Sequence, residues 1–149
     1  MASEADKKKL EEALLNELKE LKGKSDSPGR KKIGLIEDVW VKGTRREKKV
    51  KAKIDTGASK SSISKDLLID IGPPKEVGKA LVASATGEQT RPLVELLISM
   101  ETGRWVKSIF TVAERHNMQY PILIGKNTLL KLNVVVDPTK EVQENLEND

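Results

Sequence analysis

Lys53-Ile54-Asp55-Thr56-Gly57-Ala58-Ser59 sets a carboxylate at the end of an alternating stretch and follows it with a glycine two residues on. Upstream, Val50, Ala52 and Ile54 alternate with Lys49, Lys51 and Lys53, the period of two expected of a half-buried strand. A strand delivers a side chain rigidly. The glycine lets the chain turn sharply, so that backbone N–H groups can face the carboxylate, and Thr56 can hydrogen-bond beneath it. Asp-Thr-Gly alone does not separate a reactive site from a surface turn capped by aspartate.

A second stretch, roughly 70 residues after Asp55, adds to the first. Tyr120-Pro121-Ile122-Leu123-Ile124-Gly125-Lys126-Asn127 is an apolar strand, a glycine and a polar pair, and a leucine-rich helical turn follows over residues 126–131. Between the two lies a turn at Ala85-Thr86-Gly87-Glu88, about 30 residues after Asp55, with an alternative tip at Glu101-Thr102-Gly103-Arg104. The remaining core-forming stretches are short and β-rich: residues 33–41, 80–84, 93–100, 105–112 and 132–136. A loop is expected at Ile71-Gly72-Pro73-Pro74. Many short strands with glycine-marked turns predict an all-β barrel or sandwich with one short helix.

Outside that region the chain changes character. Residues 6–22 predict an amphipathic helix, with Leu10, Leu14, Leu15, Leu18 and Leu21 on one face and Lys and Glu on the other. Gly23-Lys24-Ser25-Asp26-Ser27-Pro28-Gly29 reads as a linker. The expected organisation is an N-terminal helix and linker over 1–32, a β domain over 33–138, and an acidic, disordered tail over 139–149. Net charge is +4, distributed as +2 over residues 1–32, +5 over 33–139 and −3 over 140–149. Cysteine is absent, which excludes disulfides, thiol catalysis and thiolate metal sites. No apolar run is long enough to span a membrane, and no apolar segment follows the first basic residues, so the expected location is the cytoplasm.

In order and spacing these segments resemble the retropepsin-like aspartic proteases over about residues 33–138. They are more similar still to the small prokaryotic family labelled ATP-dependent zinc proteases. Three stretches carry the resemblance: Lys51 to Ala58 with Ser61-Ser62-Ile63, then Arg91-Pro92-Leu93-Val94-Glu95, then Arg115 to Gly125 running on to Val136-Asp137-Pro138. The resemblance implies a retropepsin-like closed barrel with one short C-terminal helix, preceded here by the amphipathic helix. It implies an aspartic endopeptidase with Asp55, Thr56 and Gly57 as catalytic residues, and with Ala58, Ser59, Thr86 and Gly87 against the substrate. Thr86 and Gly87 would sit on a flap, and Gly125 would pass close to the Asp55 turn.

Catalysis of this kind needs two carboxylates sharing a proton. The chain holds one Asp-Thr-Gly, and Asp137 lacks the Thr-Gly that follows Asp55, so the resemblance implies a homodimer. No metal or organic cofactor is expected, despite the zinc in the family label. A single histidine, His116, excludes His-Glu-x-x-His and related patterns, and no phosphate-binding loop is present to support ATP dependence. The expected substrate is a peptide or protein. Acidic tails suit the basic β domain, with Lys60, Arg91 and Lys126 as contacts. The resemblance also implies a functional link to ATP-grasp ligases that add glutamates to protein tails. Two other readings stay open: a catalytically silent retropepsin-fold dimerisation or peptide-binding module, and a nucleic-acid-binding β-barrel suggested by pI ≈ 9.2. The second is disfavoured because no basic-aromatic cluster is visible along the chain.

Overall fold

The computed structural model describes residues 8–15, 30–85, 87–100, 103–114 and 118–140. The chain divides into two units, Met1–Lys31 and Lys32–Asp149. In the first, residues 8–15 form helix α1, and Leu10, Leu14 and Leu15 are exposed. The rest of the predicted helix and linker lies outside the described residues, as do residues 141–149 of the tail.

The second unit is mostly β. Its strands are β1 (Lys31–Ile33, which begins at the boundary), β2 (Ile36–Lys42), β3 (Glu47–Ile54), β4 (Ser61–Ser64), β5 (Glu76–Ser84), β6 (Gly87–Ser99), β7 (Trp105–Ala113), β8 (Ile122–Ile124) and β9 (Val134–Val136). Two helices interrupt them, α2 (Lys65–Ile71) and α3 (Lys126–Leu132). The main sheet runs β2-β3-β8-β4-β7-β6-β5, and β2 pairs again with β6. The six strands from β2 to β6 thus return on themselves, and β5 is the outer edge. β1 and β9 form a separate two-stranded sheet.

Alternation explains the core. Val39 and Val41 of β2, Ala52 and Ile54 of β3, Leu96 and Ile98 of β6, and Ile122 and Ile124 of β8 are all buried, while their neighbours along each strand face outward or are only half-covered. Phe110, the chain's one phenylalanine, is completely buried on β7. The β5–β6 and β6–β7 hairpins fall where the two glycine-marked turns predict them, although β5 begins at Glu76 and β6 runs for 13 residues.

The expectation of one short helix in the β domain needs correction, because α2 is a second. Ser64 caps it, its side chain accepting from the Leu67 N–H at 3.2 Å, and Leu67, Leu68 and Ile71 are buried. Its C-terminal carbonyls are satisfied by the β2–β3 turn. Thr44 N donates to Gly72 O at 2.8 Å, and Arg45 N to Ile71 O at 2.9 Å. Gly43 permits this approach: a Cβ there would lie 2.4 Å from the Ile71 carbonyl oxygen. Arg46 and Lys48, the latter at 2.9 Å, both bind the carboxylate of Asp70, which these hydrogen bonds (Lys48 first, then Arg46) hold below its ordinary value of 3.8.

Candidate active site

The segment from Asp55 to Lys60 links β3 to β4, yet these strands do not pair with each other. β8 lies between them, parallel to β3 (Ala52↔Ile122, Ile54↔Ile124) and antiparallel to β4 (Ser62↔Leu123, Ile63↔Ile122). The turn must therefore cross the chain leaving β8. It does so over Gly125, where a Cβ would stand 2.4 Å from the Lys60 carbonyl oxygen and 2.9 Å from that of Ala58. Only a residue without a side chain allows two backbones this close.

Hydrogen bonds then fix the turn. Ile54 N donates to Leu35 O and Asp55 N to Ile124 O, at 2.8 and 2.9 Å. The first N–H groups of α3 have no partners inside the helix, and the turn supplies them: Lys126 N donates to Ala58 O at 2.8 Å and Asn127 N to Ser59 O at 3.3 Å. Asp55 is half-buried, and its Oδ1 accepts the Gly57 N–H at 2.9 Å. Thr56, Gly57, Ser59 and Lys60 are exposed, and Ala58 is half-buried.

Below the turn lies a hydroxyl network that no local pattern in the sequence marks. Ser61 Oγ accepts from Gly125 N at 3.0 Å, donates toward Asn127 Oδ1 at 2.8 Å and lies 2.5 Å from Thr128 Oγ1. Thr128 Oγ1 in turn lies 2.7 Å from Ser108 Oγ, and Asn127 Nδ2 donates to Ile109 O at 2.8 Å. Ser61, Ser108 and Thr128 are completely buried. In an apolar interior such hydroxyls are tolerated only when satisfied, and these satisfy one another. The Asp55 turn is thereby tied to β4, β7, β8 and α3 at once.

The other expected site residues fall elsewhere or outside the described set. Gly87 begins β6 at the exposed end of the β5–β6 hairpin, with a positive φ of 117°; Thr86 beside it is outside the described residues, as is His116. Arg91 is on β6, opposite Ala80 of β5. Asp137 is engaged locally: its Oδ1 accepts from Thr139 Oγ1 at 2.6 Å and Thr139 N at 2.9 Å, which hold it below the ordinary 3.8. Among the described residues no three His, Cys, Asp or Glu side chains cluster as metal ligands, and no helix is long and apolar enough to cross a membrane. A groove of about 960 Å³ opens beside α2, lined by Lys48, Val50, Asp66, Asp70 and Pro121 among others, and Asp55 is not part of it.

Comparison with known proteins shows what part of the chain resembles. Residues 75–145 match the model of the RimB-like family, described as the retropepsin-like aspartic endopeptidase RimB. The match takes in β5 to β9, including the Gly125 segment, and begins after the Asp55 turn. It makes the chain similar to retropepsin-like proteins at the level of family, without the zinc label. Among solved structures, a protein of unknown function from Legionella pneumophila subsp. pneumophila str. Philadelphia 1, Lpg0085 (DUF785), aligns with a TM-score of 0.53 at 20% identity, over 76% of this chain and 97% of that one. The protease of simian foamy virus (mac) aligns with a TM-score of 0.47 at 20% identity, over 72% of this chain and 99% of that one. No curated protein matches the chain.

Proposed function

We propose that this protein is an aspartic endopeptidase that acts as a homodimer, each copy contributing Asp55. The observation that carries this reading is the support of the Asp55 turn: a carboxylate at a strand end, held by the Gly57 N–H, on a loop braced across Gly125. A surface turn capped by aspartate needs no such bracing. The family likeness over residues 75–145 supports the same class.

One Asp-Thr-Gly per chain requires a second copy, and Thr56 and Gly57 are exposed on the tip where two such loops would meet. Across the two-fold axis the paired carboxylates share one proton, because like charges about 3 Å apart cannot both ionise. The ionised carboxylate takes a proton from water as that water attacks the peptide carbonyl. The protonated one hydrogen-bonds the carbonyl oxygen. Collapse of the tetrahedral intermediate then returns a proton to the departing amine. Ala58 and Ser59 edge the groove, and Thr86 and Gly87 close over an extended peptide. Lys60 and Lys126, both exposed and next to the turn, together with Lys53 suit acidic peptide tails as substrate.

The test is cleavage of a mixed peptide library containing glutamate-rich tails, by wild type and Asp55→Asn, with sedimentation on the same samples. Activity in wild type and its loss in a dimeric Asp55→Asn supports the reading. Folded, dimeric wild type that cleaves nothing points instead to the silent peptide-binding module.

A further inference from the structure

Trp40 and Trp105, the chain's only tryptophans, are far apart in sequence, and neither lies in a basic run. The sheet brings them together. Trp40 of β2 is opposite Ser99 of β6, and Ser99 is opposite Trp105 of β7. Residues opposite one another in a ladder share a face. Val39, Val41, Ile98 and Val106, the neighbours along each strand, are buried, so this row lies on the outer face. Ser99 is nevertheless only 3% exposed, while Trp105 is 39% exposed: the side chains flanking the serine cover it. The strands bearing the two tryptophans are two ladder spacings apart, about 9.5 Å. A recess here measures about 370 Å³ and is lined by Trp40, Glu47, Ser99, Met100, Gly103 and Trp105.

The next row on the same face is Lys42–Leu97–Lys107, which places a lysine two residues on from each tryptophan. Both lysines are exposed, and among the described residues neither makes an ion pair. Lys49, opposite Trp40 on β3, lies 5.1 Å from the indole centroid. Three ammonium groups stand around the indoles against one lining carboxylate, Glu47, which is opposite Lys42, while Lys49 also pairs with Asp38 at 3.7 Å; the balance disfavours a cationic guest. An acidic peptide would satisfy the lysines but leave the indole faces unused. A planar group carried on an anionic backbone satisfies both.

We propose that this face binds single-stranded nucleic acid, with one base between Trp40 and Trp105 and the adjoining phosphates at Lys42, Lys49 and Lys107. Glu47, an exposed carboxylate at the rim, accepts from an exocyclic amino group of the base. The surface is separate from the Asp55 turn. Ile36, opposite Lys53 at that end of the sheet, is four residues from Trp40, about 13 Å along β2.

The test is fluorescence anisotropy of a labelled oligodeoxycytidylate with the full chain, at low and physiological salt, with tryptophan emission followed in parallel. The expected result is binding that quenches tryptophan emission and weakens with salt. Trp40→Leu and Trp105→Leu should each weaken it about tenfold. Lys42→Ala and Lys107→Ala should each reduce the logarithmic salt slope by about 0.7 while leaving the thermal midpoint unchanged, so the proposal stays testable even if a tryptophan variant fails to fold. No binding at low salt, or binding indifferent to folded tryptophan variants, overturns it. So does a glutamate-rich peptide that quenches the tryptophans more tightly than the oligonucleotide.

Discussion

Gly125 and Lys60 approach so closely that a methyl group on the glycine would stand 2.4 Å from the lysine's carbonyl oxygen. The obstacle is backbone, which cannot swing aside as a side-chain end can. Gly125→Ala should therefore lower stability by about 1–3 kcal/mol, the usual cost of overpacking, and displace the Asp55 turn. Misplacement of a reacting group by about an ångström costs on the order of a hundredfold in rate. Denaturant unfolding and peptide cleavage on one preparation check both effects. Unchanged activity would show that the turn does not need its crossing point.

Ser61→Ala removes the oxygen that accepts the Gly125 N–H and leaves Thr128 and Asn127 one partner short. A buried donor without a partner costs about 1–3 kcal/mol. Thr128→Val should cost a similar amount. Because both act on one network, the double variant should fall short of the sum, which a double-mutant cycle in urea would read out.

Phe110 is the largest fully buried side chain, in a core cluster otherwise built of leucine, isoleucine, valine, alanine and Met100. Phe110→Ala should cost about 3–5 kcal/mol through the cavity left behind. The midpoint of chemical denaturation is the measurement. A much smaller loss would mean that the ring of strands can contract.

Asp70 titrates below its ordinary 3.8 because Lys48 and Arg46 hydrogen-bond its ionised form. A depressed folded value means the contribution is present above pH 3.8 and is lost as pH falls through the folded value. Asp70→Asn should thus melt below wild type at neutral pH, and the two melting curves should converge in strong acid. Since the carboxylate is exposed, the gap at neutral pH should also narrow with added salt. Parallel curves across the whole pH range would assign the effect to packing of α2 instead.

Much of the site's frame is written locally. Alternation over Val50, Ala52 and Ile54 marks the strand that carries Asp55, and Ile122-Leu123-Ile124-Gly125 marks the strand and glycine beneath it. What supports them is not local. Ser61 and Ser108 each look like a stray polar residue in a strand, and only the pairing of β4 with β7 and β8 brings them to Thr128. The tryptophan row is hidden for the same reason, since it exists only across β2, β6 and β7. Helix α2 had a local signal in Ser64 followed by Leu67, Leu68 and Ile71. At seven residues it is shorter than the window in which helical periodicity shows, and its stop at Gly72-Pro73-Pro74 reads more strongly than its start.

The position of β8 between β3 and β4 has a consequence in time. Asp55 leaves the ribosome roughly 70 residues before Ile124, whose carbonyl receives the Asp55 N–H, and Gly125, over which the turn crosses. During that interval the growing chain carries the aspartate without the backbone that shapes it. The braced turn can assemble only once the chain has been made through Asn127, so a half-made chain carries Asp55 on a turn that nothing yet braces.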